Sequence, residues 1–560
     1  MAIELSNLTF TDEADIVPAS GVEQIFNTGF ANTLAGDDRI TGVGARTRYS
    51  IFNSGTLNTA EGDDIITGAR NQTEDSPFGE YYGIFNDIGG SIDTGDGNDI
   101  INGYTTGTGN AVANSGSINT GNGNDIISAT VYTSTDQSII GFYNLGDINT
   151  GDGNDLITSI TRRGTGIFSV AGTINTGDGN DTLTGTATYI SDSRGIYLLD
   201  ASLDTGKGND IITGTGLGSG IFVSHSSFNT GDDNDIITGN SSDGGFGITN
   251  WGFIDTGGGD DIITGNQIGE GNNSINSNGL GLFNGNGGSR EGFMDTGDGN
   301  DTITGISNAF EGVGLRNDDT INTGNGNDII SGTGNLYGIL NNRTINTGNG
   351  ADSLISNGML HNNYFNGRVF LGEGNDSIIA NTNPTLRNRN RAIENFNFID
   401  TGDGEDIITS TGFIYNRGVI ETGNGNDSII VNGSVEGLGT RYGIYNDGGG
   451  TINMGDGNDS IIANEGFESG SNNTGAWFLG QGDDYIKGFG SGDFYGGDGN
   501  DTLELTPGTY TVGIWGEGGE SAIFTKANQL MITSEFEKLK AGNTLYDFTS
   551  LTAGQIIVVA

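Results

Sequence analysis

The chain has 560 residues, no cysteine, 104 glycines and 4 prolines, and its 71 Asp and Glu against 21 Lys and Arg leave a formal charge of −50. That charge repels nucleic acid and anionic membrane surfaces and makes cations the natural partners. Abundant glycine without an every-third period excludes a collagen helix and disfavours helix bundles, the missing cysteine excludes a disulfide framework, and no apolar run is long enough to insert in a membrane.

The first twenty residues (MAIELSNLTFTDEADIVPAS) lack the basic start and apolar centre of a secretory signal, so an exported protein of this sequence is expected to leave without an N-terminal signal peptide. Residues 1–31 are read as an N-terminal cap. Over 32–505 one short string then returns again and again, as in Gly95-Asp96-Gly97-Asn98-Asp99 followed by Ile100-Ile101. Glycine supplies a tight turn, the last residue a carboxylate, and the two isoleucines begin a strand.

The motif aspartates are Asp38, Asp64, Asp99, Asp125, Asp155, Asp181, Asp210, Asp235, Asp261, Asp301, Asp328, Asp352, Asp376, Asp406, Asp427, Asp459, Asp484 and Asp501. Their commonest spacing, about 26 residues, is a solenoid period, and longer gaps such as Asp261 to Asp301 read as loop insertions. Two further pieces recur in each period. One resembles Gly83-Ile84-Phe85-Asn86, the other Ser117-Ile118-Asn119-Thr120. Three short strands per period predict an all-β fold, a right-handed parallel β-solenoid of about eighteen coils with capped ends. Within the Ile-Phe-Asn pieces, Phe52, Phe85, Tyr143, Phe168, Tyr197, Phe222, Phe283, Tyr415 and Tyr445 form a column that alternation allows to face either outward or into the coil. After Leu505 the rhythm stops, and 506–560 reads as ordinary strands ending in the apolar Ile556-Ile557-Val558-Val559-Ala560, a C-terminal β cap.

In such a stack equivalent carboxylates lie about 4.8 Å apart, where two unit charges repel by roughly 1 kcal/mol in water and by several at an effective dielectric near 20. A hard divalent cation between coils, held by carboxylates and turn carbonyls, turns that repulsion into cross-links, and calcium accepts irregular oxygen sets better than magnesium. The cofactor expected is therefore Ca2+, about one per coil. About seventeen such ions would move the charge from −50 to about −16. The competing reading is turn chemistry alone, the aspartate making only a local hydrogen bond.

Gly496-Gly497-Asp498-Gly499-Asn500-Asp501-Thr502-Leu503 resembles the haemolysin-type nonapeptide Gly-Gly-x-Gly-x-Asp-x-U, with U a large apolar residue, of the RTX (repeats-in-toxin) family. The likeness extends loosely over about 470 residues and is strongest from Leu479 to Leu505. It implies a parallel β-roll that binds calcium in its turns and is exported unfolded by type I secretion through an uncleaved C-terminal signal, placed here within 506–560. It further implies that Asp99, Asp125, Asp501 and their equivalents are carboxylate ligands, and that Gly95, Gly97, Gly121, Gly123, Gly151, Gly153, Gly497 and Gly499 offer carbonyls. Most copies depart by carrying Thr for the first glycine (Thr94, Thr120, Thr150) and one motif per coil, which predicts a single calcium column. The turns at Leu34, Ala60, Lys207 and Ala351 are expected to be weaker or empty sites.

These features point to a non-enzymatic, calcium-folded protein of the cell surface or extracellular matrix that self-assembles into fibrils or layers, in the manner of surface fibril proteins built of such repeats. Surface polysaccharide is a second candidate partner. The rival classes are a β-helix polysaccharide lyase or epimerase, a carbohydrate-binding adhesin, and an ice-binding module using the Thr column. His225 and His361 are the chain's two histidines and are read as incidental, and no His-Glu-x-x-His or Gly-x-Ser-x-Gly motif is present.

Overall fold

The computed structural model describes residues 2–18, 23–44, 47–70, 81–132, 139–269, 279–285, 292–363, 366–382, 390–433, 442–470, 475–515 and 521–560. They are all-β, with no α-helix among them. The chain forms two compact units, Met1–Asp298 with Gly305–Ala309 and Gly299–Thr304 with Phe310–Ala560.

In the first unit each period contributes three strands. Ile100–Thr105, Val112–Asn114 and Ser117–Asn119 pair in parallel with Ile126–Val131, Ile139–Asn144 and Asp147–Asn149 of the next period. The register sets like on like: Ile101 opposite Ile127, Asn114 opposite Asn144, Ile118 opposite Ile148. Side chains alternate about Ile101 and Ile118, which are fully buried while their neighbours are half-exposed, and Val112 is buried along with Ala111 and Ala113. The interior is thus three columns of β-branched and large apolar residues, each worth roughly 1.5–3 kcal/mol when buried. This is a parallel β-solenoid-like stack.

The second unit repeats the scheme. Ile407–Ser410, Phe413–Asn416 and Val419–Glu421 pair in parallel with Ser428–Val431, Ile444–Asn446 and Thr451–Asn453. Between Asp484 and Asp501 the period shortens to 17 residues. There Trp477 and Phe494, stacked 4.4 Å apart and fully buried, fill the interior that isoleucines occupy elsewhere.

At the N-terminal side, Ala2–Glu4 and Ile16–Val17 already pair in parallel with Gln24–Asn27 and Arg39–Val43, so the segment read as a cap includes coil-like strands. Beyond Leu505 antiparallel pairing appears, Gly508–Trp515 pairing with Ser521–Lys526 and Ile556–Val559, while Gln529–Ser534 and Lys538–Ala541 continue the parallel stack on Gly492–Asp498 and Thr502–Leu505. Ile557 and Val559 are buried and Ile556 and Val558 exposed, the alternation of a strand with one wet face.

The aromatic column faces outward. Phe85, Tyr143, Phe168 and Tyr197 are half-buried on the outer surface, each next to an inward residue such as Ile84, Phe142 or Ile167, and they shield one another by stacking. The Thr column faces inward instead. Thr94 and Thr120 are fully buried, and the Thr94 hydroxyl donates to the Thr120 carbonyl at 3.3 Å, so these residues form a ladder and not an ice-facing surface.

Close stacking explains the turn glycines. Gly121 has φ +87, and a Cβ there would overlap the Gly95 carbonyl oxygen of the preceding coil. Leu34 and Ala60 hold the equivalent turn position at φ 69 and 67, so the same conformation is imposed on residues that disfavour it. Gly89 has a similar φ, +78, with nothing near its Cβ direction. Gly89→Ala should therefore cost about 1–2 kcal/mol from backbone strain alone, and Gly121→Ala at least about 2 kcal/mol more from the collision. Paired denaturant melts measure the difference.

Candidate functional site

All eighteen motif aspartates are buried, at most 2% exposed. In the first unit the N–H of Asp38 donates to Oδ1 of Asp64, that of Asp64 to Asp99, Asp99 to Asp125, Asp125 to Asp155, Asp155 to Asp181, Asp181 to Asp210, Asp210 to Asp235 and Asp235 to Asp261, at 2.7–2.8 Å. In the second unit the ladder runs Asp301, Asp328, Asp352, Asp376, Asp406, Asp427, Asp459, Asp484, Asp501, at 2.7–2.9 Å. There its last donor, the Asp501 N–H, is met by Glu537 at 2.7 Å, an acid from outside the repeats.

The residue before each motif aspartate makes a second ladder, exposed and pointing the other way. The Asn98 N–H donates back to Asp63 at 2.8 Å, Asn124 to Asn98 at 2.9 Å, and Asn154 to Asn124 at 2.8 Å. The Asn-Asp dipeptide thus satisfies two turn N–H groups with side chains of the two neighbouring coils. A third ladder, buried, runs through the Asn that ends each Ile-Phe-Asn piece: Asn27, Asn53, Asn86, Asn114 and Asn144 are linked by amide hydrogen bonds of 2.7–2.9 Å. Asn317, Asn341, Asn362, Asn395, Asn416 and Asn446 repeat it in the second unit. In the sequence these asparagines are only the last residue of each recurring Ile-Phe-Asn piece, and their fixed place after an inward-outward pair is the signal of this role.

One oxygen of each aspartate is therefore committed. The other, Oδ2, is buried without a hydrogen-bond partner on Asp38, Asp64, Asp99, Asp125, Asp155, Asp181, Asp210 and Asp235, and on Asp328, Asp352, Asp376, Asp406, Asp427, Asp459, Asp484 and Asp501. Burial raises these carboxyls, and neighbouring carboxylates add to it. Asp99 is pushed up to about 7 by burial and by the Asp125 and Asp64 carboxylates, against the opposing pull of the Asp64 N–H. Asp235 and Asp459 reach about 8, and Asp125 about 6.

The carbonyl oxygens of Gly95, Gly97, Gly121 and Gly123 stand where a Cβ on Gly121, Gly123, Gly151 and Gly153 would be, and those of Gly480 and Gly482 do the same at Gly497 and Gly499. These carbonyls and the unpartnered Oδ2 atoms named above are all oxygen donors, the ligand type that a hard divalent cation takes. Among the described residues no three acidic or imidazole side chains converge on one point. A cation between coils would thus draw on at most two of these carboxylates and complete its shell with carbonyls.

The two histidines are placed apart in sequence and each has its own acid. His225 Nδ1 lies 3.4 Å from Asp200 in the first unit, and His361 Nδ1 lies 2.7 Å from Glu394 in the second. Glu394 also binds Arg391, which stacks over Tyr415 at 4.5 Å. Compared with known proteins, the sequence matches no family model and no curated protein. The likeness to RTX repeats rests on the motif residues alone.

For an acid whose folded pKa lies above its unfolded value near 3.8, the folded state holds protons that the unfolded chain has released. Metal-free protein should accordingly be most heat-resistant near pH 4–5 and lose stability steadily as pH rises through about 6 to 8, where Asp125, Asp99 and Asp235 ionise. Thermal melts in chelator across that range test it, and a flat profile would contradict the buried ladder.

Proposed function

We propose that the chain is a secreted, non-enzymatic calcium-binding protein whose coils are locked by Ca2+ outside the cell, and that it serves as a structural component of a surface, matrix or fibril layer. The reading includes a right-handed solenoid of about eighteen coils, with about one ion per coil. Its support is the ladder of buried Asp Oδ2 atoms without partners. Leaving an ionised oxygen buried and unpaired is costly, and a divalent cation at that oxygen offsets the cost while joining consecutive coils. When bound, the ion supplies charge neutralisation and cross-linking. The chain's own residues position one carboxylate oxygen per turn and hold the other on backbone N–H.

The same logic gives a folding switch. Without the ion, mutual repulsion among 71 acidic residues opposes compaction, so a low-calcium cytosol keeps the chain unfolded for type I export and external calcium folds it. The outward aromatic column suits lateral self-assembly or contact with a surface polysaccharide.

One observation favours a second reading, a carbohydrate-active enzyme. His361 and Glu394 replace rings in the aromatic column, opposite Leu340 and Tyr415, and form a partly buried pair with Arg391. Incubation with neutral and acidic polysaccharides decides between them: new reducing ends or unsaturated sugars that vanish in His361→Ala would establish an enzyme.

Calcium titration with circular dichroism tests the main proposal. The expected result is a β-spectrum that appears at millimolar calcium, is lost in chelator at neutral pH, and corresponds to about one ion per coil. Asp125→Asn keeps the Oδ1 acceptor and removes the charge. It should lower the calcium count by one or two ions and raise the pH at which the metal-free β-spectrum is lost. A stable β-fold with no bound calcium would overturn the reading in favour of turn chemistry alone.

A further inference from the structure

On the first unit the outer rings form a column in register: Phe168 opposite Tyr197, Tyr197 opposite Phe222. Phe168 and Tyr197 stack 4.6 Å apart at 3°, and Tyr197 and Phe222 5.0 Å apart at 18°. The next position is Thr249, and the one after it Phe283. A ring is therefore missing between Phe222 and Phe283. Two coil spacings, about 9.5 Å, separate those positions, which leaves room for one more ring-shaped group.

The gap is a cavity of about 430 Å³, within the range of small-molecule sites. Phe222, Phe246, Trp251 and Phe283 line it, with Thr249, Arg194, Asp192 and Asp243. Trp251 stands edge-on to Phe222, 4.7 Å away at 82°, so the face-to-face stacking of the preceding coils ends here. Thr249 is 3% exposed. Its hydroxyl and the Trp251 indole N–H are both buried without a partner. Arg194 lies over Tyr197 and Phe222, at 4.6 and 5.3 Å from the ring centres, while Asp192 and Asp243 are exposed at the rim.

We infer that this gap is a binding site for a neutral saccharide, one pyranose unit occupying the place of the missing ring. Ring faces carry negative potential and attract the C–H face of a sugar. Hydroxyl groups both donate and accept, so they complete Thr249 and Trp251 and reach the rim carboxylates and Arg194. A cationic ligand is disfavoured because Arg194 already holds the cation's place over the rings. An anionic glycan is opposed by Asp192, Asp243 and the charge of −50. A flat aromatic side chain would fill the gap and leave the hydroxyl and the indole N–H unpaired.

This site is separate from the aspartate ladder, and its test is independent of the calcium reading. Full-length protein folded in calcium buffer is titrated calorimetrically with malto- and cello-oligosaccharides, an oligogalacturonate and N-acetyltryptophan amide. One neutral series should bind, with the other two probes at least about tenfold weaker. Thr249→Phe refills the column and should weaken binding at least about tenfold, with the β-spectrum and calcium count unchanged. Should that variant not fold, Trp251→Phe keeps a ring, removes the N–H, and should weaken binding severalfold. Absence of binding by both neutral series, preference for the uronate or the aromatic amide, or affinity untouched by both substitutions overturns the inference.

Discussion

The motif turns of this chain have backbone N–H groups that their own coil does not satisfy, and the structure answers them with side chains one coil away. The buried aspartate accepts from the coil before it, and the exposed Asn or Asp accepts from the coil after it. Stacking is thus a requirement of the hydrogen bonding and not only of the apolar core. The glycines follow from the stacking, because at parallel-strand spacing the Gly95 carbonyl oxygen leaves a Cβ at Gly121 no room. The isoleucine columns then fill whatever space that spacing leaves.

The arrangement also places an electrostatic load inside the protein. Sixteen of these carboxylates, Asp99 and Asp125 among them, bury two oxygens and have backbone work for one. The raised pKa values of Asp64, Asp99 and Asp235 express that imbalance, with burial as its main source. A proton or a divalent cation can relieve it. The proton does so without joining coils, whereas a cation also bridges them, which is why the calcium reading turns solvent conditions into a control on folding.

Much of this was legible in the residues. The period of Asp99 and Asp125, the three segments per period and the break after Leu505 all follow from local turn and strand chemistry. What composition could not show was the direction of the aspartate side chain, since a turn carboxylate can point at solvent, at a metal or at a neighbouring backbone with the same sequence around it. The asparagine ladder was hidden for a similar reason: one buried amide looks like punctuation until register sets Asn86 between Asn53 and Asn114. Glu537 could not have been found from the repeat, because it lies outside it. The facing of the aromatic rings, left open by alternation, depended on which neighbour was inward.

Glu537 has a consequence for how such a chain changes over generations. Each coil brings one donor and one acceptor to the carboxylate ladder, so duplicating or deleting a whole coil leaves the count balanced at both joints. Cutting the array after any coil does not, because the last N–H then loses the acid that answers it. Repeat number is consequently free to drift in the interior, while the last coil needs an acid from the segment that follows it, which Glu537 supplies. Length variation among descendants of this gene should therefore fall in multiples of the coil and spare the junction of Asp501 with Glu537.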